Sequence, residues 1–141
     1  NLVPLKAVWS NSAVDAVGVV LTKSRIYAYK PDNTGVHIST ARTTPAVASK
    51  ITIDYFFTAD GYDDAHHTIT PRLLHGASYA TAKTPASSAW TTLANGQKRL
   101  RSIYTFTSGN EIDAFKRKIT FATDSAAHPV AITEVYDYPE A

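Results

Sequence analysis

The chain of 141 residues contains neither cysteine nor methionine. Missing thiols exclude disulfide cross-links, thiolate metal centres and cysteine nucleophiles, so stability has to come from a packed core. Charge is sparse as well: 14 Lys and Arg against 12 Asp and Glu leave a formal net charge of +2, too little to mark a polyanion-binding protein. Nucleic acid is therefore not an expected partner. No apolar stretch approaches the roughly 20 residues that a membrane-spanning helix needs; the longest, Val17 through Leu21, already contains Gly18. There is also no Gly-x-Ser-x-Gly elbow, no glycine-rich phosphate loop and no Asn-x-Ser/Thr sequon.

What is present is small, hydroxylated and aromatic: 21 Ala, 18 Thr and 11 Ser, with eight Tyr, five Phe and two Trp. Short runs rich in Val, Ile, Thr, Tyr and Phe alternate with Gly, Pro, Asn and Asp, which is how strands and turns read. Strands are expected over 5–10, 15–22, 25–29, 36–40, 50–58, 67–70, 72–78, 90–93, 100–107, 111–121 and 130–136. The stretch 77–94 has helical composition but is broken by Pro85, so it reads as a loop with at most a turn or two of helix. The expected fold is all-β, an antiparallel sandwich or barrel of about ten short strands, forming one domain over residues 1–141.

Alternation is clearest where Ile51, Ile53, Tyr55 and Phe57 share one side of a strand and Thr52 and Asp54 the other. Ser108-Gly109-Asn110 between two such strands reads as a tight hairpin, and 27–38, turning at Pro31 and Gly35, as a longer one. The first segment resembles the strand pairs of small fucose-binding propeller lectins, with Phe115-Lys-Arg-Lys standing where such a blade would continue toward its Trp. No binding residue transfers from so short a likeness.

If that hairpin closes on Ser108 and Gly109, Arg101 faces Lys116 and Arg99 faces Lys118. Like charges would then meet, which suits either an anion between them or a charged, protected sheet edge. The densest polar segment, 60–67, brings Asp60, Asp63, Asp64, His66 and His67 together, with His75 able to approach from a neighbouring strand. Carboxylates and imidazoles can hold a metal or divide acid and base roles. The spacing nevertheless misses a calcium loop, and adjacent His66 and His67 point to opposite faces of a strand. A solvated loop is the plainer expectation, and neither a metal nor a cofactor is assigned.

Trp9 and Trp90 each stand among small polar residues, and such indoles either pin a core or stack on a sugar. Many amphipathic rings, abundant hydroxyls and no assembled catalytic motif point to a non-enzymatic, lectin-like carbohydrate-binding protein. The expected ligand-binding residues are Trp9, Trp90, Asp32, Asn33 and Arg101, for a glycan or other small polar ligand. Two rivals come from other classes: a small hydrolase using the segment 60–67, and a structural coat or toxin subunit. Exposed strand edges and the terminal Tyr136-Asp-Tyr-Pro would favour a homo-oligomer. A start at Asn1 rather than Met suits a processed, secreted chain.

Overall fold

A computed structural model describes residues 34–125 and 127–141 with their side chains, and residues 6–14 and 20–27 as strand backbone. Among the described residues, eleven strands carry the fold: β1 (Lys6–Val14), β2 (Val20–Tyr27), β3 (Thr34–Ile38), β4 (Arg42–Ala48), β5 (Lys50–Phe57), β6 (His67–His75), β7 (Thr81–Lys83), β8 (Ser87–Thr92), β9 (Lys98–Thr105), β10 (Ile112–Thr123) and β11 (Ala131–Glu140). They form two antiparallel sheets. One has the order β1-β2-β11-β5-β9-β8; the other runs β3-β10-β6-β7, with β4 also against β10. The fold is an all-β sandwich.

The core follows from strict alternation. Ile51, Ile53, Tyr55 and Phe57 of β5 face Leu73 of β6 and Phe115, Ile119 and Phe121 of β10, all at most 3% exposed. Each such side chain contributes about 1.5–3 kcal/mol by leaving water. Every second residue of β10 points inward, and Arg117 falls in that row at 3% exposure. It meets Asp137 of β11 across the core (Nε to Oδ1, 3.4 Å), while Arg42 of β4 approaches the other carboxylate oxygen at 3.4 Å. A buried ionic cluster therefore joins the two sheets.

Three sequence expectations are corrected. The segment around Ser108 and Gly109 is no hairpin: β9 pairs with β5 and β8, β10 pairs with β3, β4 and β6, and the loop crosses between sheets. Arg101 consequently faces Asp54 and Ala89 instead of Lys116, and Lys118 faces Arg72 and Ile38 instead of Arg99. With the hairpin goes the basis of the propeller-lectin likeness. Likewise β2 and β3 belong to different sheets, so 27–38 is not a hairpin either. The break expected at Pro71 does not occur. Because β7 covers only Leu73, Leu74 and His75, β6 has one neighbour at Pro71, where a missing N–H is tolerated. The stretch 77–94 is a short 3-10 turn (Ala77–Tyr79) followed by β7 and β8.

Candidate functional site

Two surfaces concentrate polar and aromatic groups. The first is the outward face of the six-stranded sheet, and a β-bulge creates it. Ile132 pairs with Phe57, but Glu134 pairs with Phe56, so Thr133 is an extra residue in β11. Ile132 and Val135, three residues apart, are both buried at 1% or less, and Glu134, Tyr136 and Tyr138 turn outward together.

In register across this face stand Tyr136, Asp54 and Arg101, and in the next row Tyr138, Thr52 and Ile103. The rings of Tyr136 and Tyr138 lie 6.5 Å apart at 27°, and Phe56 meets Tyr136 edge-on at 5.8 Å. Arg101 donates from Nε and Nη2 to the two oxygens of Asp54, each at 2.8 Å, a bidentate fork that lets the carboxylate be almost fully buried. Lys50 closes one end by pairing with Glu140 at 3.1 Å. Between these groups lies a shallow trough of about 260 Å³, lined by Lys50, Thr52, Arg101, Ile103, Tyr138 and Glu140. Burial, reinforced by the bond from its hydroxyl to Glu134, pushes the Tyr136 phenol up to about 12, and burial raises Tyr138 too. Both phenols are neutral hydrogen-bonding groups at neutral pH.

The second surface is a cleft of about 510 Å³ at one end of the sandwich, between the segments 58–67 and 127–131. Gly61 allows the two to meet, since a Cβ there would collide with the carbonyl oxygen of Ala131. Thr58 N–H donates to Ala131 O, Ala131 N–H donates to Gly61 O, and Asp124 N–H donates to His66 O. His66 lies in the turn before β6, so strand alternation does not separate it from His67, and both line the cleft, contrary to the expectation that only one would enter a site. His67 is buried, its Nδ1 accepting from Asp63 N–H and its Nε2 facing His128 O, each at 2.8 Å, so it is a structural residue. His66 points outward, its Nδ1 2.5 Å from Asp124, whose other oxygen lies 3.0 Å from His128 Nδ1. The two imidazoles stack at 3.7 Å and 13°.

The bond from His66 holds the Asp124 carboxyl below its ordinary range, and the same bond raises the His66 imidazole. Asp63 caps its own turn by accepting from Ala65 N–H, which lowers its carboxyl. Asp60 and Asp64 are exposed. His75 lies at the far end of β6, eight residues from His67 and on the order of 25 Å away; it packs against Phe106 and does not reach the cleft. Sequence reasoning missed Asp124 and His128. Their spacing in a polar loop, Asp124-Ser-Ala-Ala-His128, was the available signal, but its proximity to His66 is purely tertiary.

Among the expected binding residues, Trp90 is 37% exposed, stacked on Tyr62 at 3.6 Å and 10° and tilted against Phe57 at 5.0 Å. It pairs with inward-facing Leu100, whereas Arg101 projects from the opposite face. The two are not brought together. Asp32, Asn33 and the Trp9 side chain lie outside the described residues.

No protein-family model matches the chain, and no curated protein matches it. Among solved structures, the chain is similar to a carbohydrate-binding module described in terms of specific mannan recognition, at 9% identity, covering 100% of this chain and 98% of that one, with a TM-score of 0.43. An overlap that loose carries no argument about function, which has to be made from the chain's own residues.

Proposed function

We propose that the protein is a carbohydrate-binding domain that holds a neutral glycan in the trough beside Tyr138. The observation that supports this reading is the pairing of a tyrosine-lined sheet face with charges that cancel locally. A pyranose presents an apolar face of C–H groups and a rim of hydroxyls. Tyr138 supplies a ring for the first, while Arg101, Thr52, Lys50 and Glu140 supply donors and acceptors for the second. Arg101 is matched by Asp54 and Lys50 by Glu140, so nothing in the trough favours a charged sugar. The same pairing argues against turnover, because both carboxylates are already engaged by cations and neither is poised as a general acid or base.

A glycan array followed by titration tests this. Saturable binding of a neutral oligosaccharide is expected, weakened at least tenfold in Tyr138→Ala and unchanged in His75→Ala. Absence of binding to every glycan would overturn the proposal. Binding lost in Trp90→Ala but kept in Tyr138→Ala would overturn the sheet-face assignment and move the site to the Trp90–Tyr62 stack.

A further inference from the structure

We infer that His66, Asp124 and His128 form a binding site for a divalent transition-metal ion of the zinc class, at the edge of the cleft and independent of the sheet-face trough. One ligand atom from each residue lies within 4.8 Å of the other two. An ion about 2.0–2.1 Å from nitrogen and oxygen ligands sets neighbouring ligands about 3.3 Å apart. Closing the site thus draws the ligand atoms of partly exposed side chains together by at most about 1.5 Å.

The backbone that carries these ligands is already tied in place. Asp124 N–H donates to His66 O at 3.0 Å, joining two segments 58 residues apart. The carbonyl of His128 is met both by Nε2 of the buried His67 at 2.8 Å and by the Thr123 hydroxyl at 2.6 Å. His67 thereby locks the loop that presents His128 while its neighbour in sequence, His66, presents the other imidazole. Such support behind the ligands is what separates a built site from chance neighbours on a surface.

The chemistry of the donors selects the ion. Two imidazole nitrogens turned toward one carboxylate, with the rings stacked, leave both Nδ1 atoms on the same side. Each His–Asp contact is held by one proton, and a dication bound by both nitrogens and the carboxylate takes the place of those protons. Two nitrogen ligands out of three suit zinc, cobalt or nickel and disfavour calcium and magnesium, which want oxygen. Three protein ligands leave a tetrahedral ion one position for water or a small ligand, beside a cleft that Asp63 and Lys98 also line.

Calorimetric titration of the EDTA-treated full chain with zinc chloride, and separately with calcium chloride, is the test. One equivalent of zinc should bind and calcium should not. His66→Ala and His128→Ala should each weaken zinc at least tenfold, with circular dichroism spectra in EDTA matching the parent's, while His75→Ala binds as the parent does. Asp124→Asn provides a milder variant that keeps the side-chain size and should also weaken binding. The inference is overturned if zinc fails to saturate, if His75→Ala weakens it as much as His66→Ala, or if sedimentation shows that zinc binds only by bridging two chains. None of these results bears on the Tyr138 trough, so the two proposals fail separately.

Discussion

Asp137 lies 2% exposed between the guanidinium groups of Arg117 and Arg42. Burial pulls Arg42 down from the usual guanidinium range, Asp137 holds it up and Arg117 pushes it down again. The carboxylate is thus the counter-charge for two cations in a largely dry setting, and replacing a buried ion's partner typically costs about 3–5 kcal/mol. Asp137→Asn, which keeps the shape and removes the charge, should lower stability by about that amount in urea unfolding. His37 of β3 belongs to the same neighbourhood: burial first and Arg117 second lower its imidazole to about 4. An unfolded chain takes up this proton near 6.5 and the folded one only near 4, so stability is full above pH 6.5 and declines as the pH falls toward 4. His66, whose imidazole is raised, acts in the opposite sense, which makes the useful measurement a comparison. Melting temperatures of His37→Asn should fall less than those of the parent between pH 6.5 and 4.

At the scale of elements, the bulge at Thr133 decides what β11 shows to solvent. Counting from Ile132 with a strict period of two would send Glu134, Tyr136 and Tyr138 into the core and Asp137 out. One extra residue reverses all four. Deleting Thr133 would remove the bulge yet keep Ile132 and Val135 inward and Glu134, Tyr136 and Tyr138 outward, since Glu134 then follows Ile132 in strict alternation opposite Phe56; the deletion should therefore cost no more than an ordinary point change, about 0.5–3 kcal/mol. A loss on the order of 5 kcal/mol or more in urea unfolding of the deletion variant would contradict this account. The strand β10 shows the same logic without a bulge. Lys116, Arg117 and Lys118 look like one basic patch in sequence, yet alternation buries only the middle cation and leaves its neighbours on the outer face.

For the molecule as a whole, the two sheets share one core and one ionic cluster, and the crossing loops put β3, β4 and β10 in one sheet and β2, β5, β9 and β11 in the other. Neither sheet keeps a buried face without its partner. Far-ultraviolet and near-ultraviolet circular dichroism should therefore report a single transition with coincident midpoints in urea. Two separated midpoints would mean that the sheets unfold independently, contrary to the packing of β5 against β10.

Strand content was legible from residue chemistry. The Ile51, Ile53, Tyr55, Phe57 row declares its buried face because side chains alternate with period two, and the segments near 50–57 and 100–105 fall where the sequence puts them. Partnership was not legible. Which strand lies beside β9, where β11 gains a residue, and that Asp124 and His128 come to His66 all depend on contacts between distant segments, and a polar turn such as Ser108-Gly109-Asn110 serves a hairpin and a crossing between sheets equally well. The sequence by itself determined which side chains prefer a pleated, half-buried surface, since that preference is carried by each residue and its near neighbours. Only the packing of two sheets decided which tyrosines, arginines and histidines meet, because those distances are set by closure of the shared core.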